Sequence, residues 1–175
     1  LELREQLVRE ADRLVLLFWP PFDSPLHDPG YVRAYPPGVR ENGGQYTHAA
    51  TWLGWAHAQL GDGERAERIF RLLNPVLRSR TLAEAKRYRV EPYALAGAIY
   101  SCAPWIGRGG WTWYTGAAAW MWRLGVEGIL GERPFLMATA GQDFGEYRQW
   151  LDAAGVDTSL VRQVGDKFTA SFFCS

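Results

Sequence analysis

Three segments of the sequence combine glycines, aromatic rings and polar side chains, each just before a predicted helix. They are residues 37–48, 88–93 and 107–116. Sugar sites use this mixture, because a pyranose ring offers C–H faces that stack on Trp or Tyr, and hydroxyls that pair with carboxylates, amides and guanidinium groups. The segments therefore predict a carbohydrate site. A role in a helical core is the alternative for any single Trp among them.

A second chemical signal is the pair Thr115-Gly116, which precedes the apolar helical stretch starting at Ala117. A helix N-terminus carries unpaired N–H groups and a partial positive charge, which favour an oxyanion. The Thr115 hydroxyl and the bare backbone at Gly116 would let phosphate approach closely, and His48, near another helix start, could donate to it. Simple helix capping by Thr115 is the alternative.

Composition excludes several other classes of function. The chain has 175 residues, a length for about one domain, and its 19 Lys and Arg balance its 19 Asp and Glu. Without a net charge, nucleic acid is not an expected partner. The two cysteines, Cys102 and Cys174, lie far apart, so no disulfide framework and no metal site is predicted. No secretion signal and no membrane segment is recognisable, which predicts a cytoplasmic location.

Helical patterns dominate the first 133 residues. Residues 1–17 have the apolar spacing of an amphipathic helix, and residues 18–46, rich in proline and glycine, predict a long packed loop. Capping residues such as Thr47 and breakers such as Pro75 delimit the other helices. The further predicted helices cover residues 48–60, 64–74, 82–88, 93–101 and 116–130.

The pattern changes near residue 133. Strands are predicted over 135–139, 161–164 and 168–173, with a helix over 144–153 between the first two. The sequence thus predicts a mainly α domain over 1–133, followed by an α/β piece over 134–175.

Long strings in the first part resemble the catalytic domain of glycoside hydrolase family 94, and most closely its cyclic β-1,2-glucan synthase branch. The resemblance covers residues 14–131 and is carried most strongly by residues 35–52, 88–93 and 107–116. It implies the C-terminal part of an (α/α)6 toroid. It also implies inverting phosphorolysis of a β-glucan oligosaccharide to glucose 1-phosphate, with inorganic phosphate as co-substrate and no other cofactor. The parent protein of this branch is expected at the inner membrane.

The same resemblance implies roles for individual residues. His48, Thr115 and Gly116 match the phosphate-binding positions of the family. Four residues match positions at or near the sugar subsites: Glu41, Gln45, Glu91 and Trp111. The general acid of the family lies in an Asp-rich motif, and no Gly-Asp-Trp-Asn-Asp string occurs in this sequence. We therefore expect no turnover from this chain alone. A non-catalytic sugar-binding helical module is the alternative.

The tail resembles a different family. Residues 138–148, 151–158 and 168–172 are similar to the N-terminal third of ribokinase-like (PfkB) sugar kinases, whose fold is a Rossmann-like α/β sandwich. The anion hole and catalytic base of such kinases come later than this sequence extends, so no kinase activity is expected. The 42 residues of the tail are few for an independent core. We interpret the chain as a junction of two truncated reading frames, with a kinase fragment as the alternative main identity.

Overall fold

The computed structural model describes residues 6–24, 28–113, 115–131, 138–141 and 143–164. The chain divides into two compact units, Leu1–Ile129 and Leu130–Ser175. The candidate site lies in the first of these. That residues 1–133 and 134–175 belong to different protein families stays a prediction.

After residues 6–7, which are helical, the chain forms a β-hairpin, so the predicted helix over residues 1–17 is wrong from residue 8 onward. Strand β1 (Val8–Arg9) pairs antiparallel with β2 (Leu14–Val15). Arg13, just before β2, has a left-handed backbone with φ 55°. The Val15 amide donates to Gln45 Oε1 at 2.9 Å, and the Leu17 amide to the Gly44 carbonyl at 3.0 Å. These long-range bonds outweigh the local helical pattern.

Four predicted helices, over 48–60, 64–74, 82–88 and 116–130, are confirmed with small shifts at their ends. Local capping explains the agreement, since Asp62 accepts from the Arg65 amide, and Thr81 and Glu84 form a reciprocal capping box. Thr47 does not cap the first helix through its side chain but is its first residue. The helices are α1 (Thr47–Gln59), α2 (Gly63–Leu73), α3 (Leu82–Tyr88) and α4 (Ala117–Arg123), which continues as a π-helix over Leu124–Ile129.

The predicted helix over 93–101 is wrong, because this segment contains the central strand of a small antiparallel sheet. Its order is β3 (Gln45–Tyr46), β4 (Ala98–Ile99) and β5 (Gly109–Gly110). The sheet needs glycine at position 109, since a methyl group there would lie 2.3 Å from Val90 Cγ2. Pairing with β3 and β5 satisfies the backbone N–H and C=O groups of β4, which in a helix would have formed hydrogen bonds within the segment.

The loop predicted before α1 is confirmed as largely irregular, with one short 3-10 helix at Gly30–Ala34. Asn42 is fully buried and connects distant parts of this loop. Its Oδ1 accepts from the Phe22 amide, while its Nδ2 donates to the carbonyls of Phe22 and Tyr35. One buried amide therefore closes much of the loop onto itself.

Helix packing builds the core of the first unit. Helix α1 packs mainly on α2, and α4 with its π-helical continuation packs on α1. Helices dominate the regular structure, as the sequence predicts, while the toroid stays a prediction. Among the described residues no helix is long and apolar enough to cross a membrane. The main apolar cluster consists of Val15, Ala50, Ile69, Leu72, Leu73, Leu95, Ala117 and Met121.

The second unit contains a strand–helix–strand motif. Strand β6 (Ala138–Ala140) runs parallel to β7 (Val161–Gln163), and α5 (Phe144–Ala153) connects them. The predicted helix over 144–153 is confirmed. The predicted strand over 168–173 lies outside the described residues, and the Rossmann-like assignment stays a prediction.

Candidate functional site

The start of α1 positions His48. Strand β3 runs directly into this helix, and Thr47 is buried where the two meet. The Thr47 amide donates to the Gly97 carbonyl at 3.0 Å, and Gln45 Nε2 donates to Thr47 Oγ1 at 3.2 Å. The first turn of α1 is therefore fixed to the small sheet, and His48 with it.

Aromatic rings surround the imidazole of His48. Trp52, one helical turn later, meets it edge-on with 4.9 Å between the ring centroids, and Trp120 lies at 6.1 Å. Tyr46 stacks on it at 6.3 Å. His48 Nε2 is buried, and no group in the described part of the chain forms a hydrogen bond with it. The ring is thus held in place with one nitrogen unused, which suits it to a ligand.

Gly116 lies directly beside this imidazole, and Thr115 is its neighbour in the chain. A methyl group on Gly116 would come 3.2 Å from His48 Cε1 and 3.4 Å from Nδ1. Thr115 Oγ1 accepts from the Ala117 amide at 3.1 Å, so the capping role considered for this residue is present. That bond uses only a lone pair of the hydroxyl, whose hydrogen can still be donated. The structure brings His48 and Gly116 together, whereas the position of the Thr115 hydroxyl relative to the imidazole and the binding of phosphate stay predictions.

Glu91 anchors the tryptophan-rich loop that precedes α4. Thr112 Oγ1 donates to Glu91 Oε1 at 3.0 Å, and the Gly97 amide donates to the carbonyl of Trp111 at 2.9 Å. Hydrogen bonds from the Glu91 amide and from the Thr112 hydroxyl lower the pKa of the Glu91 carboxyl. Trp111 has a left-handed backbone, with φ 64°, and its side chain is half exposed. The loop held by Glu91 thereby presents a half-exposed aromatic ring.

Arg40 is a site residue that the sequence analysis did not single out. Its guanidinium carbon lies 4.3 Å from the Trp111 ring centroid and 5.1 Å from that of Tyr35. Its Nε lies 3.6 Å from Glu41 Oε2, and both atoms are buried without a hydrogen bond among the described residues. Arg40 thus connects Glu41 to Trp111. The signal that could have identified Arg40 from the sequence was its position in the first polar segment, between Gly38 and Glu41.

Gln45 differs from the other residues predicted to contact sugar. Its side chain is fully buried, with Oε1 accepting from the Val15 amide and Nε2 donating to Thr47. Both ends of the amide are therefore used to join β2, β3 and α1. We leave Gln45 out of the sugar contacts proposed below. The described residues contain no group of three or more His, Cys, Asp or Glu side chains able to hold a metal ion.

Comparison with known proteins identifies the family of this chain. The model of the glycosyl hydrolase 94 superfamily, catalytic domain, matches residues 3–131, and the chain belongs to this family. It is 57% identical over 128 residues to the cyclic beta-(1,2)-glucan synthase NdvB of Rhizobium meliloti, covering 73% of this chain and 4% of that protein.

Two phosphorylases are also similar. N,N'-diacetylchitobiose phosphorylase of Vibrio furnissii is 33% identical over 65% of this chain and 14% of its own length. Solabiose phosphorylase of Paenibacillus borealis is 29% identical over 66% of this chain and 15% of its own length. The chain thus spans a small part of the curated relatives it matches. The matched regions support a glycoside phosphorylase-like or glucan synthase-like domain.

Proposed function

We propose that this chain forms the phosphate-binding and part of the sugar-binding wall of a glycoside phosphorylase or glucan synthase that acts on β-glucans. The observation that carries the proposal is that the imidazole of His48 lies against Gly116, the residue that follows Thr115. Family membership supports it, because relatives of this chain are named as phosphorylases and as a cyclic β-glucan synthase.

In the proposed reaction, His48 and the Thr115 hydroxyl donate hydrogen bonds to phosphate, and Gly116 leaves room for the imidazole that donates one of them. A phosphate oxygen forms a bond to the anomeric carbon as the glycosidic bond breaks on the opposite face. A proton must then pass to the leaving sugar oxygen. The Asp-rich motif expected to supply that proton does not occur in this sequence. The chain therefore contributes binding and orientation, and the products would be glucose 1-phosphate and a shortened glucan.

The sugar would lie against Trp111, whose exposed ring can stack on a pyranose face. Glu41 and Arg40 would add polar contacts, because Glu41 Oε2 and Arg40 Nε still lack hydrogen bonds within the described part of the chain. Glu91 is a positioning residue in this proposal, since its carboxylate holds Thr112 and thereby the loop.

The proposal is tested by titrating inorganic phosphate into the full 175-residue chain by calorimetry. Thr115→Ala removes the proposed donor and should weaken binding by about 1–3 kcal/mol, while Thr115→Ser keeps the hydroxyl and should restore it. Thr158→Ala removes a hydroxyl bonded to Asp152 in the second unit and should leave phosphate binding unchanged. Equal affinities of the Thr115→Ala and Thr158→Ala variants would refute the site.

Turnover requires a separate experiment. The chain is mixed with a polypeptide that carries the Asp-rich motif of the family, and β-1,2-linked gluco-oligosaccharide and phosphate are added. Release of glucose 1-phosphate supports the enzyme function. Saturable oligosaccharide binding without any release would instead support the sugar-binding module. For residues 134–175, the resemblance to ribokinase-like kinases stays a prediction, and ATP-dependent phosphorylation of ribose by the chain would contradict the expected inactivity of the tail.

A further inference from the structure

A polar cavity of about 190 Å³ lies beside the turn of the β1–β2 hairpin and α3. It shares no lining residue with the proposed phosphate site. At about 30 Å³ per water molecule, this volume holds a small ion with part of its hydration shell. Its lining includes three arginines and two carboxylates: Arg13, Arg78, Arg87, Asp12 and Glu84.

Arg78 is the unusual member of this lining, because its side chain is buried and has no carboxylate partner. Only 5% of the residue is exposed, and no ion pair to Arg78 is present among the described residues. Its terminal nitrogen donates to the Arg13 carbonyl, and its guanidinium lies 6.0 Å from the Tyr88 ring centroid. Arg78 Nε is buried without a hydrogen bond. A buried guanidinium with an unused donor is costly unless an anion pairs with it.

Burial lowers the pKa of Arg78 to about 10, and the neighbouring charge of Arg13 acts in the same direction. The group nevertheless remains protonated at neutral pH. An uncompensated positive charge thus lies in the wall of the cavity.

The carboxylate of Glu84 is already used by other groups. Glu84 pairs with Arg13 at 3.1 Å and accepts from the Thr81 amide and hydroxyl. Asp12 forms no ion pair with a described residue. Arg87, an exposed residue of α3, also lines the cavity, and its aliphatic stem packs on Gly107. Two guanidinium groups, from Arg78 and Arg87, therefore remain for a ligand.

We propose that this cavity binds a small oxyanion, of the phosphate, sulfate or carboxylate type, between Arg78 and Arg87. Planar guanidinium groups match such oxygens in pairs, so two of them form a selective site. The ligand would also join the hairpin to α3, because both contribute to the lining.

The test uses the full 175-residue chain carrying His48→Gln and Thr115→Ala, which separates this cavity from the site of the proposed function. Calorimetric titrations with inorganic phosphate, sulfate and acetate are run at constant ionic strength. We expect saturable one-to-one binding of at least one of these anions. Arg87→Gln should weaken it by about tenfold or more. Lys86→Gln, which removes a neighbouring charge outside the cavity, should change it less than twofold.

Binding of phosphate and sulfate alone would assign the site to phosphoryl or sulfuryl groups, whereas binding of acetate would assign it to carboxylates. Absence of saturable binding with all three anions would overturn the proposal. Equal losses in the Arg87→Gln and Lys86→Gln variants would also overturn it, since they would reflect net charge only. Arg78→Met, checked for folding by circular dichroism, should abolish the binding, and a folded variant that still binds would contradict it.

Discussion

The imidazole of His48 occupies the space where a side chain of residue 116 would begin, although 68 positions separate His48 and Gly116 in the sequence. Gly116 has φ −76° and ψ −5°, a conformation open to any residue. Its lack of a side chain therefore matters because of the space that the imidazole occupies and not because of the backbone.

This contact gives a selective test, the Gly116→Ala variant. The added methyl group would lie 3.2 Å from His48 Cε1, so the ring must move by a few tenths of an ångström. We expect phosphate affinity to fall by about 1 kcal/mol, or roughly fivefold, with little change in the thermal midpoint. Gly63→Ala, where a methyl group meets nothing within 4 Å, is the matched control. Unchanged phosphate affinity in Gly116→Ala would contradict the proposed position of the anion.

Asn42→Asp tests how the loop before α1 is held. The change removes both Nδ2 donors, whose bonds to the carbonyls of Phe22 and Tyr35 measure 3.0 and 2.7 Å. We expect a loss of at least about 2 kcal/mol and faster proteolysis within residues 18–41. Asn74→Asp keeps the single acceptor bond from the Val76 amide and should have little effect. Equal stability of the two variants in urea unfolding would refute this role of Asn42.

The hydroxyl of Tyr88 is predicted to stabilise the segment that leads into β4. It donates to the Ala94 carbonyl at 3.1 Å and accepts from the Ala96 amide at 3.0 Å, in a buried environment. Tyr88→Phe leaves both backbone groups unpaired and should lower the free energy of unfolding by about 1–3 kcal/mol. Tyr31→Phe, on a residue that is 71% exposed, controls for the loss of a phenol. Matching urea midpoints for both variants would show that water replaces these bonds.

Glu84 should make folding stability depend on pH in the acidic range. The Thr81 hydroxyl, with smaller effects from the Thr81 amide and Arg13, lowers the pKa of Glu84 below its ordinary value of 4.5. The unfolded chain thus binds this proton more tightly, so the stabilisation is full above about pH 5 and disappears as the pH falls through the folded pKa.

The measurement for Glu84 is the urea midpoint between pH 6 and pH 3. As the pH is lowered, the urea midpoint of Glu84→Gln should fall less steeply than that of the unmodified chain. Glu64→Gln, in the first turn of α2, controls for the change in net charge. Parallel curves for the unmodified chain and Glu84→Gln would rule out this contribution.

Elements defined by local signals were predictable from the sequence. Helix α3 follows from the Thr81–Glu84 capping box, and α5 has the predicted bounds 144–153. The two errors, at β1–β2 and at β4, concern segments whose backbone bonds reach far along the chain. Val15 bonds to Gln45, 30 positions away, and the Gly97 carbonyl accepts from the Thr47 amide. Apolar periodicity within one segment contains no information about such partners.

The candidate site was predictable to a similar degree. The grouping of His48 with Thr115 and Gly116 followed from chemistry expected at helix starts, and the structure brings His48 and Gly116 together. The burial of Gln45 and the position of Arg40 could not be predicted from the sequence, because both depend on contacts between segments that are far apart in the chain.

The guanidinium of Arg40, which lies over both Tyr35 and Trp111, makes two distant loops thermodynamically dependent on one another. Replacing either ring changes how firmly the Arg40 guanidinium is held, and this in turn changes its interaction with the other ring. In a double-mutant cycle, the effects of Tyr35→Leu and Trp111→Leu should therefore fail to add, and this coupling should disappear in an Arg40→Met background. A sugar that orders one loop by stacking on Trp111 would thus lower the entropy cost of ordering the other, so the loops would respond to ligand as a single cooperative element.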